Sequence, residues 1–464
     1  MSAVTTTLDR GLPVRWMVAL VTVLVAGNVI FSRGFAHLGV GMIFVGDVLL
    51  VALILLWPRQ LLERMVGPLF KPSAATLVSL AAFVFIAFGC WQTLRSLLGP
   101  QDSKIAIVCF AFHVYATCLF LGMNAAATSP DYLGKLLTWL AWAHGIYGVL
   151  YVSVLSPLGW VDGEVHRLFA QPYGAALSIL GLLCFHRKLG WHTLALLLNI
   201  FTLLGVQVRA EWLSLGAALL LWAVLSHRAK QLFQVAALAA VLIAAGLITD
   251  FKIPAPSSRG GDVSVRFIVG RALSSIDPSL AASFVDDPER YASTISWRTE
   301  WWREILAATH ASTATTLIGL GYGHPIWDYH PEGVMEGLRT PHSIWVYVLG
   351  YTGWLGMAVY ALFQLALLRL LWKSYVATRQ PFGICLWTIQ LIWATFDNLL
   401  EAPYGAIPFN LLLGMSLAAY VTRSFEPADA SCGFGIDASL QPDLGLRPTP
   451  PAGNDVEQYQ ENAL

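Results

Sequence analysis

The chain has 464 residues, of which 56% are hydrophobic and 12% charged, with a net charge of zero and a mean hydropathy of +0.63. Soluble domains carry about 25% charged residues. A soluble multidomain protein, a disordered chain and a nucleic-acid binder with a basic stripe are therefore excluded, and any attraction of anions has to be local.

A membrane-spanning helix needs about 20 mostly apolar residues. Such runs predict helices over 16–31, 38–57, 75–97, 104–123, 133–155, 172–186, 191–207, 210–226, 231–250, 343–368, 382–398 and 406–422. The expected fold is all-α, a polytopic bundle of about twelve transmembrane helices. The first run lacks a small-residue cleavage site and reads as a retained helix rather than a signal peptide. The runs 172–186 and 191–207 are short, so one of them is a candidate tilted or re-entrant piece. The run 343–368 is long enough for Gly350 and Gly353 to divide it.

Arg10, Arg15, Arg59, Arg64, Lys71, Lys135, Arg187, Lys188, Arg228, Lys230, Arg369, Lys373 and Arg379 all fall on one side of this map. That side is expected to be cytoplasmic, with both termini inside. Four parts follow: an N-terminal bundle over 1–250, a large outer loop over 251–341, C-terminal helices over 342–423, and a polar tail over 424–464 expected to be disordered. Within the loop, Pro278–Val285 and Thr299–Thr309 are expected as short helices. Of the six cysteines, Cys90, Cys109, Cys118, Cys184 and Cys385 lie in apolar runs and Cys432 in the tail. No Cys/His cluster has zinc spacing, so no metal site is expected.

The informative residues are charges in costly places. Asp47, His113 and His144 lie within spans, either as hydrogen bonders of the bundle or as site residues. Arg209, in Val206-Gln207-Val208-Arg209-Ala210-Glu211, sits between two spans joined by almost no loop. It is either a snorkelling arginine paired with Glu211 or an arginine facing a cavity to hold a phosphate bidentately. Arg266, Arg271 and Arg339 lie in the loop, which solvates charge in any case. Arg298 is flanked by Trp297, Trp301 and Trp302, which is expected to lay that segment on the membrane surface.

The run Gly319-Leu320-Gly321-Tyr322-Gly323 permits close backbone approach and positive φ. It lacks the Lys-Ser/Thr of a phosphate loop, which argues against a nucleotide. His342, in Pro341-His342-Ser343, is a candidate general base or an interfacial histidine. Asp397, Asn398, Glu401 and Tyr404 cluster at the outer end of the run 382–398 and are candidate hydrogen bonders.

Taken in order, these features resemble the O-antigen ligase / polysaccharide polymerase family, over roughly residues 195–400. That family carries His-[Asn/Ser/Gln]-x9-Gly-x-x-[Gly/Thr/Tyr]; here His342-Ser343 is followed by Gly353-Trp354-Leu355-Gly356. Arg298-Thr299-Glu300-Trp301 is similar to the family's loop arginine, and Arg209 to its arginine at a helix start. Ser343 stands where the family often has Asn, and Val208 where it often has Ser.

The resemblance implies a GT-C-like membrane glycosyltransferase of the bacterial inner membrane that is metal-independent, inverting and free of cofactors. It would take a glycan from undecaprenyl diphosphate at the periplasmic face and pass it to an acceptor glycan lipid. His342, Arg209 and Arg298 would be catalytic, with Arg266, Arg271, Arg339, Tyr322 and Glu401 as substrate contacts. Gly46-Asp47 and the extended tail favour a polymerase of exopolysaccharide or O-antigen, for which a chain-length regulator is a candidate partner. A ligase joining glycan to lipid A-core is the alternative. A lipid-linked glycan flippase is the reading of another class, but it calls for midplane charges and matching halves.

Overall fold

The computed structural model describes residues 12–40, 43–129, 131–156, 172–250, 252–253, 263–274, 277–284, 288–329, 340–397 and 399–423. The expected tail lies outside them, as does Arg339.

The chain opens with α1 (Leu12–Phe31), a one-turn α2 (Arg33–Ala36), and a tiny antiparallel pair, β1 (Gly39–Val40) with β2 (Ile43–Phe44). α3 (Val45–Leu56) meets α4 (Pro58–Met65) at an 82° bend, and the turn α5 (Gly67–Phe70) follows. The span expected at 38–57 is thus corrected: it begins at Val45, and Pro58, with no N–H to continue α3, starts a new helix. α6 (Thr76–Leu97), α7 (Ser103–Val114), α8 (Thr117–Ala126) and α9 (Tyr132–Leu150) come next, α9 ending in a π-turn over Tyr151–Leu155. α10 (Ala175–Phe185), α11 (His192–Val206), α12 (Arg209–Ser226) and α13 (Ala229–Thr249) complete the first nine expected runs.

Most of the described residues of the expected loop are helical. A second small pair, β3 (Lys252–Ile253) with β4 (Val263–Ser264), leads to α14 (Val265–Leu273), α15 (Pro278–Ala281), α16 (Pro288–Thr309) and α17 (Thr313–Ile318). α18 (Ile344–Thr378), α19 (Phe382–Phe396) and α20 (Pro403–Arg423) close the described chain.

Among the described residues, eight helices are long and apolar enough to cross a membrane, or nine if the bent α3–α4 pair is one span. α10, α11 and α19 are apolar but shorter. At 1.5 Å per residue an 11-residue helix reaches only about 16 Å and a 15-residue one about 22 Å, short of the ~30 Å hydrocarbon core. The protein is a multi-pass all-α membrane protein, and by length and composition the described residues supply eight or nine full spans.

Small residues set the tightest packing. A Cβ on Gly122 of α8 would lie 2.0 Å from the Leu411 carbonyl of α20, and one on Gly414 of α20 1.9 Å from the Leu119 carbonyl of α8. The two backbones touch, which is how membrane helices gain contact without a hydrophobic driving force.

α18 is broken at Gly353 (φ 66°, ψ −168°), a conformation open to glycine alone. Of the two expected breakpoints, Gly353 is the hinge, and Gly350 stays helical. The break frees the carbonyls of Gly350 and Tyr351, which accept the amides of Leu320 (2.9 Å) and Gly321 (3.0 Å). The glycine run expected to allow close approach is therefore backbone packed against backbone: a Cβ on Gly319 would sit 2.3 Å from the Thr352 amide. Arg95 fastens the other side, donating to the carbonyls of Ile318 (3.0 Å) and Gly319 (3.2 Å).

Candidate functional site

Polar residues gather where six helix ends meet: the C-terminal ends of α1 and α19 and the N-terminal ends of α10, α12, α18 and α20. His342 stands one residue ahead of the α18 N-cap, Ser343, with a positive φ of 52°. Two tryptophans of α16 hold it. Trp302 donates its indole N–H to the Pro341 carbonyl (2.6 Å), and the Trp297 ring meets the imidazole edge-on at 6.3 Å. Trp301 is fully buried and donates to the Ile326 carbonyl (2.8 Å). The expectation that these tryptophans lie on the membrane surface is thus corrected. A buried indole needs an acceptor, and α16 finds two in the protein.

His342 Nδ1 lies 3.1 Å from Asp397 Oδ1, with both side chains less than one-fifth exposed. Asp397 is the C-cap of α19, and its second oxygen takes the Trp393 indole N–H at 3.5 Å. If the carboxylate accepts Nδ1–H, the neutral imidazole keeps its lone pair on Nε2, the tautomer a general base requires.

Arg298 crosses from α16 to the same place, donating to the Phe396 carbonyl (2.9 Å), one residue before Asp397, with its guanidinium 5.3 Å from the Trp297 ring centre. Burial lowers its pKa, with the Asp397 carboxylate opposing, and an arginine remains charged throughout. Arg209 opens α12 and lies in the field of Arg298. Two like charges are thus brought together, one of them at a helix N-terminus, where positive charge is least welcome. Glu211 does not serve Arg209 as the snorkelling reading had it: fully buried, it accepts the Ala176 amide (3.0 Å) and caps α10.

The remaining predicted contacts divide. Arg271 donates to Gln207 Oε1 (2.7 Å), the left-handed residue that ends α11, and so ties α14 to the turn from which Arg209 springs. Arg266 braces the loop itself through the Ser283 carbonyl (3.0 Å). Tyr322 is buried, and its hydroxyl pairs with His113 Nε2 in an aromatic core with Tyr351, outside the arginine–histidine group. Both Glu401 oxygens are shielded from water, near the amides of Leu400 and Glu401 without a well-formed hydrogen bond. Burial, reinforced by Asp397, pushes its pKa up to about 8. Asp47 accepts the Tyr115 hydroxyl (3.3 Å), and His144 pairs with Asn199 (2.7 Å), so both join bundle packing.

One residue was missed. Arg33, just after α1, lies between the Tyr173 and Tyr404 rings, 5.3 and 5.2 Å from their centres, and donates to the Tyr404 hydroxyl (3.3 Å). Burial opposes its charge, but Tyr404, Tyr173 and Asp397 outweigh it and raise the pKa. Asp397 is thus one carboxylate facing an imidazole and the fields of Arg33 and Arg298. A signal existed: Arg33 falls on the outer side of the Lys/Arg map, against the trend. Among the described residues, no group of three or more His, Cys, Asp or Glu side chains is placed to hold a metal ion.

Residues 194–361 match the family described as O-antigen ligase. No curated protein matches the chain. The matched segment contains Arg209, Arg298, His342 and the Gly353 hinge; Arg33, Asp397, Glu401 and Tyr404 reach the same place from outside it.

Proposed function

We propose that this chain, whose residues 194–361 match the O-antigen ligase family, is a membrane enzyme of the O-antigen ligase/polymerase type that transfers a glycan from undecaprenyl diphosphate to a sugar hydroxyl at the periplasmic face of a bacterial inner membrane. The observation that carries this reading is the pair of guanidinium groups, Arg209 and Arg298, held in one another's field beside His342. An anion between the two guanidinium groups would accept hydrogen bonds from both.

In the reaction, Nε2 of His342 takes the proton of the acceptor hydroxyl as its oxygen attacks the anomeric carbon. The bond from that carbon to the diphosphate oxygen breaks, with inversion. The arginines meet the charge that builds on the departing oxygen, a stabilisation worth most where water is scarce. Asp397 keeps the imidazole in the working tautomer and balances the charge it gains. All six helix ends at the cluster are those that the Lys/Arg distribution expects outside, which supports a periplasmic site.

The test is transfer in membranes with a synthetic undecaprenyl-diphosphate-linked glycan. Arg209→Ala, Arg298→Ala and His342→Ala should each abolish transfer while the protein still inserts. A fully active His342→Ala enzyme would remove that residue from the mechanism. Of the two acceptors, we favour a second lipid-linked repeat over lipid A-core. Deleting the gene should then leave single repeats on the cell surface rather than long lipid-linked chains never joined to core.

A further inference from the structure

The opposite end of the bundle carries a second polar site. Glu211 fixes the N-terminus of α10 beside the start of α12, and Arg228 donates to the Leu183 carbonyl (3.3 Å), which sets the far end of α10 against the far end of α12. α9 outruns its neighbours here. Thr138 meets His186, the residue that ends α10, at 2.8 Å, and Trp142 donates to His192 Nδ1, at the start of α11, at 3.2 Å. α9 begins at Tyr132, ten residues before Trp142, so about 15 Å of helix projects beyond the first turn of α11.

The step leaves an open recess of about 700 Å³ lined by Lys135, Thr138, Trp139, Trp142, His186 and Trp191. Its α9 residues lie at helical spacing on one face. Trp142 and Trp191 stack at 4.7 Å and 22°, a flat apolar wall, while Trp139 and Trp191 remain exposed.

One cation, Lys135, lines the recess, and two more follow its lining residue His186 in sequence. Lys135 is 78% exposed and reaches Asp131 at 3.6 Å, an ion pair too exposed to hold it fast. Arg187 and Lys188 follow His186 directly and are exposed, and Arg187 lies in the field of Arg228. Against these cations the lining offers one carboxylate, Asp131.

We propose that this recess binds the headgroup of an anionic phospholipid, with Lys135 and Arg187 at the phosphate and the tryptophan wall along the glycerol and the first methylenes of the acyl chains. Short helices require the bilayer to thin or the headgroups to sink locally. α10 and α11 are two of the three short apolar helices, and the recess lies where both stop. Exposed tryptophans beside basic side chains suit that depth. The site is independent of the transfer chemistry proposed above.

The experiment is native mass spectrometry of the full-length protein released from detergent with equal phosphatidylglycerol and phosphatidylethanolamine. Wild type should retain phosphatidylglycerol preferentially, by about fivefold for each cation engaged, or about 25-fold for Lys135 and Arg187 together. The double variant Lys135→Glu/Arg187→Glu should bring that preference to near unity, while Arg59→Glu, on an exposed arginine elsewhere, should leave it intact. If the double reversal fails to fold, Lys135→Gln/Arg187→Gln serves the same purpose. Equal retention of the two lipids by wild type overturns the proposal, as does a preference that survives either double variant. Displacement of phosphatidylglycerol by millimolar inorganic phosphate would assign the site to free phosphate and also overturn it.

Discussion

Replacing Asp397 by Asn keeps the side chain's size and one acceptor oxygen but removes the charge facing His342. The pair is 3.1 Å apart with both side chains under one-fifth exposed, so the effective dielectric is nearer 20 than 80. Unit charges about 4 Å apart then interact by about 4 kcal/mol, against about 1 kcal/mol in water. With the proton half transferred in the transition state, about 2 kcal/mol is lost, or roughly thirtyfold in the transfer rate. In water-like surroundings the same step would cost less than about threefold.

The assay is initial-rate transfer in nanodiscs at saturating lipid-linked donor. KM for the donor should barely move, because Asp397 acts through the imidazole rather than on the diphosphate. A twofold loss or less, or a loss that appears in KM for the acceptor rather than in the rate, would refute the positioning role and make Asp397 an independent acceptor contact.

Glu401 gives a pH signature. Its folded pKa of about 8 stands above the ordinary 4.5, so its stabilising effect is complete below about pH 4.5 and is lost as pH rises through about 8. Glu401→Gln should flatten that fall, melting higher than wild type at pH 9, by up to a few kcal/mol, and matching it near pH 4.5; parallel melting curves across the range would contradict the burial argument. Gly353→Ala should cost more than about 2 kcal/mol, because φ is 66° and the added Cβ would lie 2.5 Å from the Leu317 carbonyl group, and detergent-extracted protein should lose its monodisperse peak. Arg33→Ala should lower transfer while Arg33→Lys restores only part of it, since a lysine cannot fill the flat slot between the rings of Tyr173 and Tyr404; equal activity of both would place Arg33 outside the site. Transfer should persist in excess EDTA, and strong inhibition would contradict the metal-free scheme.

Much of this was legible because membranes simplify sequence. Long apolar runs located most helices, and the length of the run 343–368, with Gly350 and Gly353 inside it, anticipated the hinge. Other features depend on packing that no local pattern encodes. Asp397 lies 55 residues from His342, and nothing in Thr395-Phe396-Asp397 reports that α19 ends beside α18. The tryptophans of α16 looked interfacial because an indole has an apolar body and one donor, which suits a membrane surface and a protein acceptor equally well. Helix lengths misled at 38–57, where apolar residues continue through β1 and β2 into α3, and hydropathy does not distinguish strand from helix there. Arg33 and Arg95 were legible in principle: each is a cation on the side that should have few, and each turns out to be engaged, one with Tyr404 and the other with the glycine run.

The seam between α8 and α20 acts as a fulcrum. Where the Gly122 and Gly414 backbones press on carbonyls of the facing helix, neither helix has room to slide or roll by a fraction of a turn. α20 leaves that clamp and, ten residues earlier, presents Tyr404 to Arg33. The placement of that aromatic slot is therefore inherited from two missing side chains about 15 Å deeper in the bundle. A single methyl group inserted there should surface as a defect in chemistry rather than in insertion.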